Sequence, residues 1–252
     1  MRAPFFTHGS ASEVEARKSL LNLFKTTPIP DSELLISLGL YTRSIVLAKT
    51  LYLNEIYSRI LDVPGVVMEF GVWWGASMAM LASFRNVYEP YNVGRKIVGF
   101  DTWNGYQSFS PEDGQSKHLE YVKRDGYRVP ENYVEHLSAV LDAHEADNVL
   151  AHVRKYETVK GDVRLTAEQY FRDHPETIVA LASFDLALYE PTKKCLEAIR
   201  PHLVRGSVIA MDELNSADFP GETVAFRETF GLNTYRLVRS RFLPDRSYVV
   251  IE

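Results

Sequence analysis

Residues 66–84, VVMEFGVWWGASMAMLASF, indicate the fold class of this chain. The run VVMEF (66–70) is short and apolar and stops at Gly71, and the residues after Gly75 place apolar side chains at helical spacing. Glycine is common at such junctions because it adopts turn conformations that other residues avoid. The segment is therefore predicted to be a buried β-strand that turns tightly into an α-helix.

The same alternation of apolar strand and amphipathic helix continues towards the C-terminus. Four further runs resemble buried strands: KIVGF (96–100), VRKYETVKGD (153–162), IVALASFDLAL (178–188) and GSVIAMDE (206–213). Strands that alternate with helices predict a parallel α/β sheet with helices on both faces. TYRLVRS (234–240) and SYVVIE (247–252), separated by turn residues, predict a closing antiparallel hairpin. This order suits the seven-stranded, Rossmann-like sheet of class I methyltransferases, although a dehydrogenase-like sheet would share its first half.

Two segments are predicted to be additions to this sheet. Residues 1–62 show helical periodicity and are expected to form an N-terminal extension that packs on a catalytic domain of residues 63–252. Residues 102–130 are polar, aromatic and rich in turn formers, and a loop of this length usually covers a site. We expect this loop to form a lid over the acceptor.

Composition narrows the classes of function. The chain of 252 residues carries a formal net charge of −5, so a nucleic-acid-binding surface is not expected. No run approaches the roughly 18 apolar residues of a membrane-spanning helix, and the N-terminus lacks the apolar core of a signal peptide. A cytoplasmic protein without a membrane partner is therefore expected. The single cysteine, Cys195, lies in a helical pattern and suits a buried structural role better than a catalytic one.

Acidic residues follow the predicted strands at the edge where ligands bind in an open parallel sheet. Asp101 is expected to accept hydrogen bonds from ribose hydroxyls, with a turn-forming role as the alternative. Asp162 would either reach an adenine amino group or cap the next helix. The spacing GxxxG, with Gly71 and Gly75, replaces the GxGxxG of dinucleotide sites and suits S-adenosylmethionine, which has no phosphate. Glu69 would then bind the amino group of its methionine part.

Three more acids, Asp185, Asp212 and Glu213, lie at the ends of the fourth and fifth strands. They are expected to converge on one edge of the sheet, where like charges raise each other's pKa unless a cation joins them. An oxygen-ligated cation such as Mg²⁺ would resolve that conflict. Pairing with a Lys or Arg of a neighbouring segment is the alternative.

Four segments together resemble the macrocin O-methyltransferase family, which methylates sugar hydroxyls of macrolides and related natural products. They are VMEFGVWWGAS (67–77), IVGFDTWNGY (97–106), FDLALYEPTKKCLEAIRPHL (184–203) and GSVIAMDELNSADFPGETVAFRETFGL (206–232). The resemblance implies a class I fold, S-adenosylmethionine as methyl donor, and Mg²⁺ bound by Asp185, Asp212 and Glu213. Donor contacts are implied for Glu69, Gly71, Gly75, Ser77, Asp101 and Asp162, and for Tyr41, Thr42 and Arg43 in a segment that covers the cofactor.

Two positions depart from the family's pattern. The family commonly has a second acid two positions after the first, where this chain has Ala187. It also commonly has an Asp-Asp pair where this chain has Asp212 and Glu213. Glu can also bind Mg²⁺, so the acidic pair is kept, and the missing acid affects only the expected geometry of the metal site.

The predicted reaction is magnesium-assisted methylation of a hydroxyl on a sugar or glycosylated small molecule, by a homo-oligomer. His118, in the lid, is the candidate general base because imidazole titrates near neutral pH, although a solvated loop histidine is the simpler interpretation. Asp185 is the second catalytic candidate. Alternatives are a diverged relative with another reaction, such as a hydroxylase-like enzyme, and a non-catalytic binding protein on the same fold. The missing GxGxxG argues against an NAD or nucleotide-sugar enzyme.

Overall fold

The computed structural model, which describes residues 9–123 and 126–252, is built around a seven-stranded sheet. The strands are β1 (Val66–Phe70), β2 (Ile97–Asp101), β3 (Tyr156–Lys160), β4 (Val179–Phe184), β5 (Leu203–Met211), β6 (Val238–Arg239) and β7 (Ser247–Val250). Their order is β3-β2-β1-β4-β5-β7-β6; β1 to β5 are parallel, and β7 pairs antiparallel with β5 and β6. The predicted class I fold, including its C-terminal hairpin, is confirmed.

Helices cover both faces of this sheet, as the alternating pattern predicts. They are α1 (Ala11–Lys25), α2 (Asp31–Leu34), α3 (Ser44–Tyr57), α4 (Ala76–Tyr88), α5 (Lys117–Lys123), α6 (Tyr133–Ala146), α7 (Val163–Asp173), α8 (Tyr189–Ile199) and α9 (Pro220–Thr229). Within the described ranges, no helix has the length and apolar character needed to cross a membrane.

The register of the central strands brings their carboxyl ends to one edge. Phe70, the last residue of β1, is opposite Phe100 in β2 and Phe184 in β4, and Phe184 is opposite Met211 in β5. The rings of Phe70 and Phe100, and of Phe70 and Phe184, stack with centroids 4.9 Å apart. Because these apolar residues are buried in line, the residues that follow them leave the sheet side by side.

The predicted lid, residues 102–130, contains α5 and packs against the sheet edge, although the sequence predicted an irregular loop; residues 124 and 125 lie outside the described ones. Its apolar residues Leu119 and Val122 belong to a buried cluster with Leu188 and Phe219. The buried carboxylate of Asp113 accepts hydrogen bonds from the backbone of Ser110 (2.7 Å) and Tyr189 (2.6 Å). The lid is therefore packed against the segments that follow β4 and β5 at this edge of the sheet.

The N-terminal extension reaches the core through α3, whose Tyr52, Leu53, Ile56 and Tyr57 are buried. The helices α1 and α2 bury no residue, and the segment after α2 leaves Ile36 86% exposed. Residues 1–8 of the predicted extension lie outside the described part of the chain.

Candidate active site

A cavity opens at the carboxyl ends of β1, β2 and β4, beneath the lid. The cavity and the open space at its mouth together measure about 1070 Å³. Of the predicted site residues, its walls include Glu69, Gly71, Ser77, Asp101, Asp162 and Asp185. The predicted convergence of the strand ends is thus observed for these residues.

The turn after β1 depends on glycine because of packing inside the protein. Gly71 and Gly75 have φ values of +93° and +73°, which other residues rarely adopt. A Cβ on Gly71 would overlap the backbone carbonyl of Asp185, and one on Gly75 would overlap the side chain of Leu137. Gly71 also lines the cavity, whereas Gly75, predicted as a donor contact, is buried at the start of α4. Gly75 therefore allows the turn to pack closely against Leu137 and has no contact with the cavity.

Asp101 connects the loop after β1 to the loop after β2 through hydrogen bonds. Its Oδ2 accepts hydrogen bonds from the backbone N–H groups of Val72 (2.8 Å) and Trp73 (2.7 Å), and its Oδ1 accepts from that of Trp103 (2.7 Å). Both tryptophans have positive φ, +51° and +52°, so this carboxylate holds backbone that would otherwise be strained. Burial raises the pKa of Asp101, and the three N–H donors oppose that rise. A carboxylate has about four acceptor positions, so about one remains, whereas the sequence predicts that Asp101 accepts two hydrogen bonds from the ribose.

Glu69 is a buried carboxylate that faces the cavity. It is 4% exposed and shares a hydrogen bond with Ser77, and its Oε2 has no hydrogen-bond partner among the described residues. Burial raises its pKa to about 8, although the charge of Lys49 opposes the shift. A buried, unpartnered carboxylate oxygen is costly, and a ligand with a cationic amino group would satisfy it. The methionine part of S-adenosylmethionine therefore fits this wall.

Asp162 takes the capping role that was the alternative to an adenine contact. Its side chain accepts from the backbone N–H of Arg164 (3.0 Å) at the start of α7 and forms an ion pair with the Arg164 guanidinium. These hydrogen bonds lower the pKa of Asp162. The adenine contact stays a prediction, since both residues line the cavity.

The three acids predicted as metal ligands meet cations of the chain. Asp185 lies on the cavity wall, with its Oδ2 4.0 Å from Nζ of Lys49. Asp212 is 4% exposed, and its Oδ2 lies 3.0 Å from Nη2 of Arg246. Glu213 Oε1 lies 3.9 Å from Nη1 of the same arginine, and its backbone N–H donates to the buried carboxylate of Glu222 at 2.7 Å.

This arrangement does not fit magnesium. In residues 9–123 and 126–252, no three His, Cys, Asp or Glu side chains are grouped as metal ligands. Burial, followed by the charge of Asp185, raises the pKa of Asp212, and the charge of Arg246 opposes that rise. Pairing with a neighbouring Lys or Arg, the alternative to a metal, is the arrangement observed.

Besides Gly75, Asp212 and Glu213, three more predicted residues do not line the cavity. The ring of His118 packs on Phe219 with centroids 4.7 Å apart, and its Nε2 is 3.4 Å from the hydroxyl of Tyr127, which does line the cavity. Tyr41 donates a hydrogen bond to Thr27 (2.8 Å), and Thr42 donates to the carbonyl of Leu38 (3.0 Å). Tyr41 and Thr42 make contacts within the N-terminal segment and do not line the cavity, and their contact with the donor stays a prediction.

Sequence reasoning missed Lys49 and Arg246. Lys49 is the only charged residue in the run SIVLAKTLYLN (44–54), and a lone charge in such a run could have been noticed. Arg246 immediately precedes Ser247, which is opposite Met211 in the antiparallel pair of β5 and β7. That register places Arg246 beside Asp212, but it can be read only once the hairpin is known.

Comparisons with known proteins agree with this geometry. A methyltransferase-domain family profile matches residues 68–214. The chain is similar to the calicheamicin methyltransferase CalS11, with 41% identity, a TM-score of 0.93, and coverage of 97% of this chain and 95% of that one. An apo structure of CalS11, described as a TDP-rhamnose 3'-O-methyltransferase of calicheamicin biosynthesis, matches with 41% identity, a TM-score of 0.85, and coverage of 97% and 96%. The O-methyltransferase NovP, at 19% identity, a TM-score of 0.59, and coverage of 79% and 78%, shares the fold. A comparison with curated proteins gave no match.

Proposed function

The chain belongs to the methyltransferase-domain family and is an S-adenosylmethionine-dependent O-methyltransferase, and from this premise we propose that its acceptor is a hydroxyl of a sugar carried by a small molecule. A nucleotide-linked deoxyhexose is the first acceptor to test, because the similar CalS11 is described as acting on TDP-rhamnose. The sequence resemblance to macrolide sugar methyltransferases supports the same class of acceptor.

The observation that carries the proposal is the position of Asp185. Its side chain is 45% exposed on the cavity wall, at the end of β4, and β4 lies next to β1, whose Glu69 would bind the donor's amino group. A carboxylate accessible from the cavity is placed to accept the proton of an acceptor hydroxyl. General-base assistance of this kind typically contributes about 10²–10⁴-fold in rate.

The transfer follows from these placements. The acceptor oxygen attacks the sulfonium methyl carbon, the carbon–sulfur bond breaks, and the donor leaves as a neutral thioether. Asp185 takes the hydroxyl proton, so no unbalanced charge remains on the ether product. Holding donor and acceptor in line supplies much of the rate, since well-oriented reactants gain about 7–11 kcal/mol. No magnesium step is included, because the acids at this edge already pair with Lys49 and Arg246.

Product analysis by mass spectrometry and NMR tests this function. Wild-type protein is incubated with S-adenosylmethionine and one acceptor in each of three parallel reactions. The acceptors are TDP-rhamnose, free rhamnose and a methyl rhamnoside. Transfer of one methyl group to a sugar hydroxyl is expected, with the nucleotide-linked sugar turned over fastest. Methylation of a nitrogen or carbon atom, or of a non-sugar hydroxyl in a wider acceptor panel, would contradict the proposal.

Thermal-shift measurements distinguish a methyltransferase from the alternative functions that this fold could have. S-adenosylmethionine and S-adenosylhomocysteine should raise the melting temperature, whereas NAD should not, because a ligand that binds the folded state stabilises it by mass action. A shift with NAD alone would favour the dehydrogenase-like alternative. Binding of the donor without turnover of any acceptor would favour a non-catalytic protein.

The predicted homo-oligomer remains a proposal. The N-terminal segment exposes several large apolar side chains, among them Leu35, at 78%, and Ile36, at 86%. Analytical ultracentrifugation of the wild type and of the double variant Leu35→Ser, Ile36→Ser is the test. Identical monomeric sedimentation of both proteins would rule out a subunit interface through this segment.

A further inference from the structure

We propose that Lys49 and Arg246 take the place of a divalent cation at the acidic edge, so that this chain transfers the methyl group without a bound metal. The inference rests on the proposed function for its catalytic consequence. Its structural part, that the edge does not hold a metal, stands on the ion pairs alone.

Arg246 is bound where a metal would have to compete with it. Its side chain is 18% exposed, Nη2 lies 3.0 Å from the Asp212 carboxylate, and Nη1 donates to the Asp212 carbonyl at 2.5 Å and lies 3.9 Å from Glu213. The guanidinium thus lies within ion-pair distance of both acids that follow β5. A divalent ion between the same acids would face a fixed positive charge within a few ångströms, where unit charges interact by several kcal/mol at an effective dielectric of about 20.

Lys49 supplies the second cation. It projects from α3 into the cavity, and its ammonium group is 4.0 Å from the carboxylate of Asp185. Its side chain is 35% exposed, so a bound hydroxyl can reach the group. Lys49 therefore pairs with Asp185, and Arg246 pairs with the other two acids.

The residue two positions after Asp185 adds no ligand to this edge. Ala187 is buried in an apolar cluster with Leu119, Val122 and Phe219. Mg²⁺ commonly binds proteins through one or two carboxylates together with waters. The carboxylates available at this edge are already paired with Lys49 and Arg246, and the side chain of Ala187 offers no further oxygen.

The two cations also suit the reaction. As the acceptor hydroxyl loses its proton to Asp185, negative charge develops on its oxygen. A preorganised ammonium group beside that oxygen stabilises the charge electrostatically. Lys49 is the cavity-lining group that would do so, while Arg246 keeps Asp212 and Glu213 paired and oriented.

Manganese titration monitored by electron paramagnetic resonance tests the inference without an acceptor. Wild-type protein and the control Arg241→Met, which removes an exposed cation from the same loop, should show no saturable Mn²⁺ binding at the edge. Arg246→Met should instead bind Mn²⁺ saturably, with a Kd at least about tenfold below the highest Mn²⁺ concentration at which the wild type shows no binding, because three acids are then left with one cation. A merely destabilised protein would not gain a metal site.

Saturable Mn²⁺ binding by the wild type that Asp212→Asn removes would overturn the inference. So would equal, negligible binding by Arg246→Met and Arg241→Met, since Arg246 would then not be what keeps metal away. These outcomes are readable even if the sugar acceptor is wrong, so failure of the proposed function is recognised separately.

Two kinetic measurements complete the test once an acceptor is turned over. Chelator should change wild-type kcat by less than about twofold, and Lys49→Met should lower kcat at least about tenfold and clearly more than it lowers the affinity for S-adenosylhomocysteine. Loss of turnover in chelator that Mg²⁺ restores would overturn the inference. An equal loss of S-adenosylhomocysteine affinity in Lys49→Met would show instead that Lys49 binds the donor.

Discussion

Two groups of opposite charges in this fold differ in how completely they are paired. The scaffold cluster consists of Arg85, Glu145 and Lys155: Arg85 and Lys155 each lie 2.7 Å from a carboxylate oxygen of Glu145, and all three side chains are at most 6% exposed. The edge cluster consists of Lys49, Asp185, Asp212, Glu213 and Arg246. Its Lys49–Asp185 pair is 4.0 Å long, with side chains 35% and 45% exposed.

The difference shows how one fold uses charge for stability and for chemistry. In the scaffold cluster, Nζ of Lys155 also donates to the carbonyls of Leu150 (3.0 Å) and Val153 (2.9 Å), so its hydrogen-bonding capacity is filled within the protein. In the edge cluster, the long and exposed pair of Lys49 and Asp185 leaves room for a ligand between its members. The short, buried ion pairs of Glu145 connect α4, α6 and the approach to β3, whereas the longer Lys49–Asp185 pair faces the cavity.

Breaking the scaffold cluster should have the largest effect on stability. Glu145→Ala leaves two buried cations without their carboxylate, and removal of one partner from a buried ion pair typically costs about 3–5 kcal/mol. Urea denaturation measures the change. The matched control is Glu135→Ala on the same helix, which is exposed and should change the unfolding free energy by about 0.5 kcal/mol or less. Similar values for the two variants would show that the buried pairs do not stabilise the fold.

Breaking the edge cluster should affect turnover much more than stability. Asp185→Asn removes the proposed base, so kcat should fall by about a hundredfold or more. The pair with Lys49 is half-exposed and contributes about 1 kcal/mol or less, so urea denaturation should be nearly unchanged. Steady-state kinetics and denaturation of Asp185→Asn are compared with Asp173→Asn, an exposed acid at the end of α7. If Asp185→Asn instead unfolded at a lower urea concentration and kept its kcat, Asp185 would have a structural role like that of Glu145.

The sequence allowed the strand ends to be predicted because their signals are local. Each buried strand is a continuous apolar run, and the residue after it must leave the sheet at the ligand-binding edge. Asp101 and Asp185 could therefore be assigned to one cavity from their positions in the chain. Parallel register then brings them together without further information.

The partners of those acids could not be predicted because they depend on tertiary contacts. Lys49 comes from a helix ahead of the sheet, and Arg246 from a hairpin turn more than thirty residues after Asp212. Likewise, α5 has only Leu119 and Val122 as buried apolar residues, too few to produce a helical pattern, and it is fixed by packing on Phe219. His118 was assigned by its chemistry; its ring packs on Phe219, and it does not line the cavity.

The smallest expected effect concerns Glu69, which is as buried as the scaffold acid Glu145. Glu145 pairs with two cations, whereas Glu69 forms no ion pair with another described residue. Burial raises its pKa to about 8, so in the free protein it is mostly protonated at neutral pH, and its contribution to stability is lost as pH rises through about 8. Binding of a cationic amino group favours the ionised carboxylate. Donor affinity should therefore weaken as pH falls below about 8, by up to about tenfold per unit.

Isothermal titration of S-adenosylhomocysteine between pH 6 and pH 8 measures this dependence, since the product keeps the same amino group. Glu69→Gln should bind more weakly at pH 8 and show a nearly flat profile, because its side chain does not titrate. Glu222 also has a pKa raised to about 8 by burial, but it does not line the cavity, so Glu222→Gln should keep the wild-type slope. A flat wild-type profile, or a slope lost in Glu222→Gln instead, would remove Glu69 from the donor site and leave it a buried acid of the scaffold.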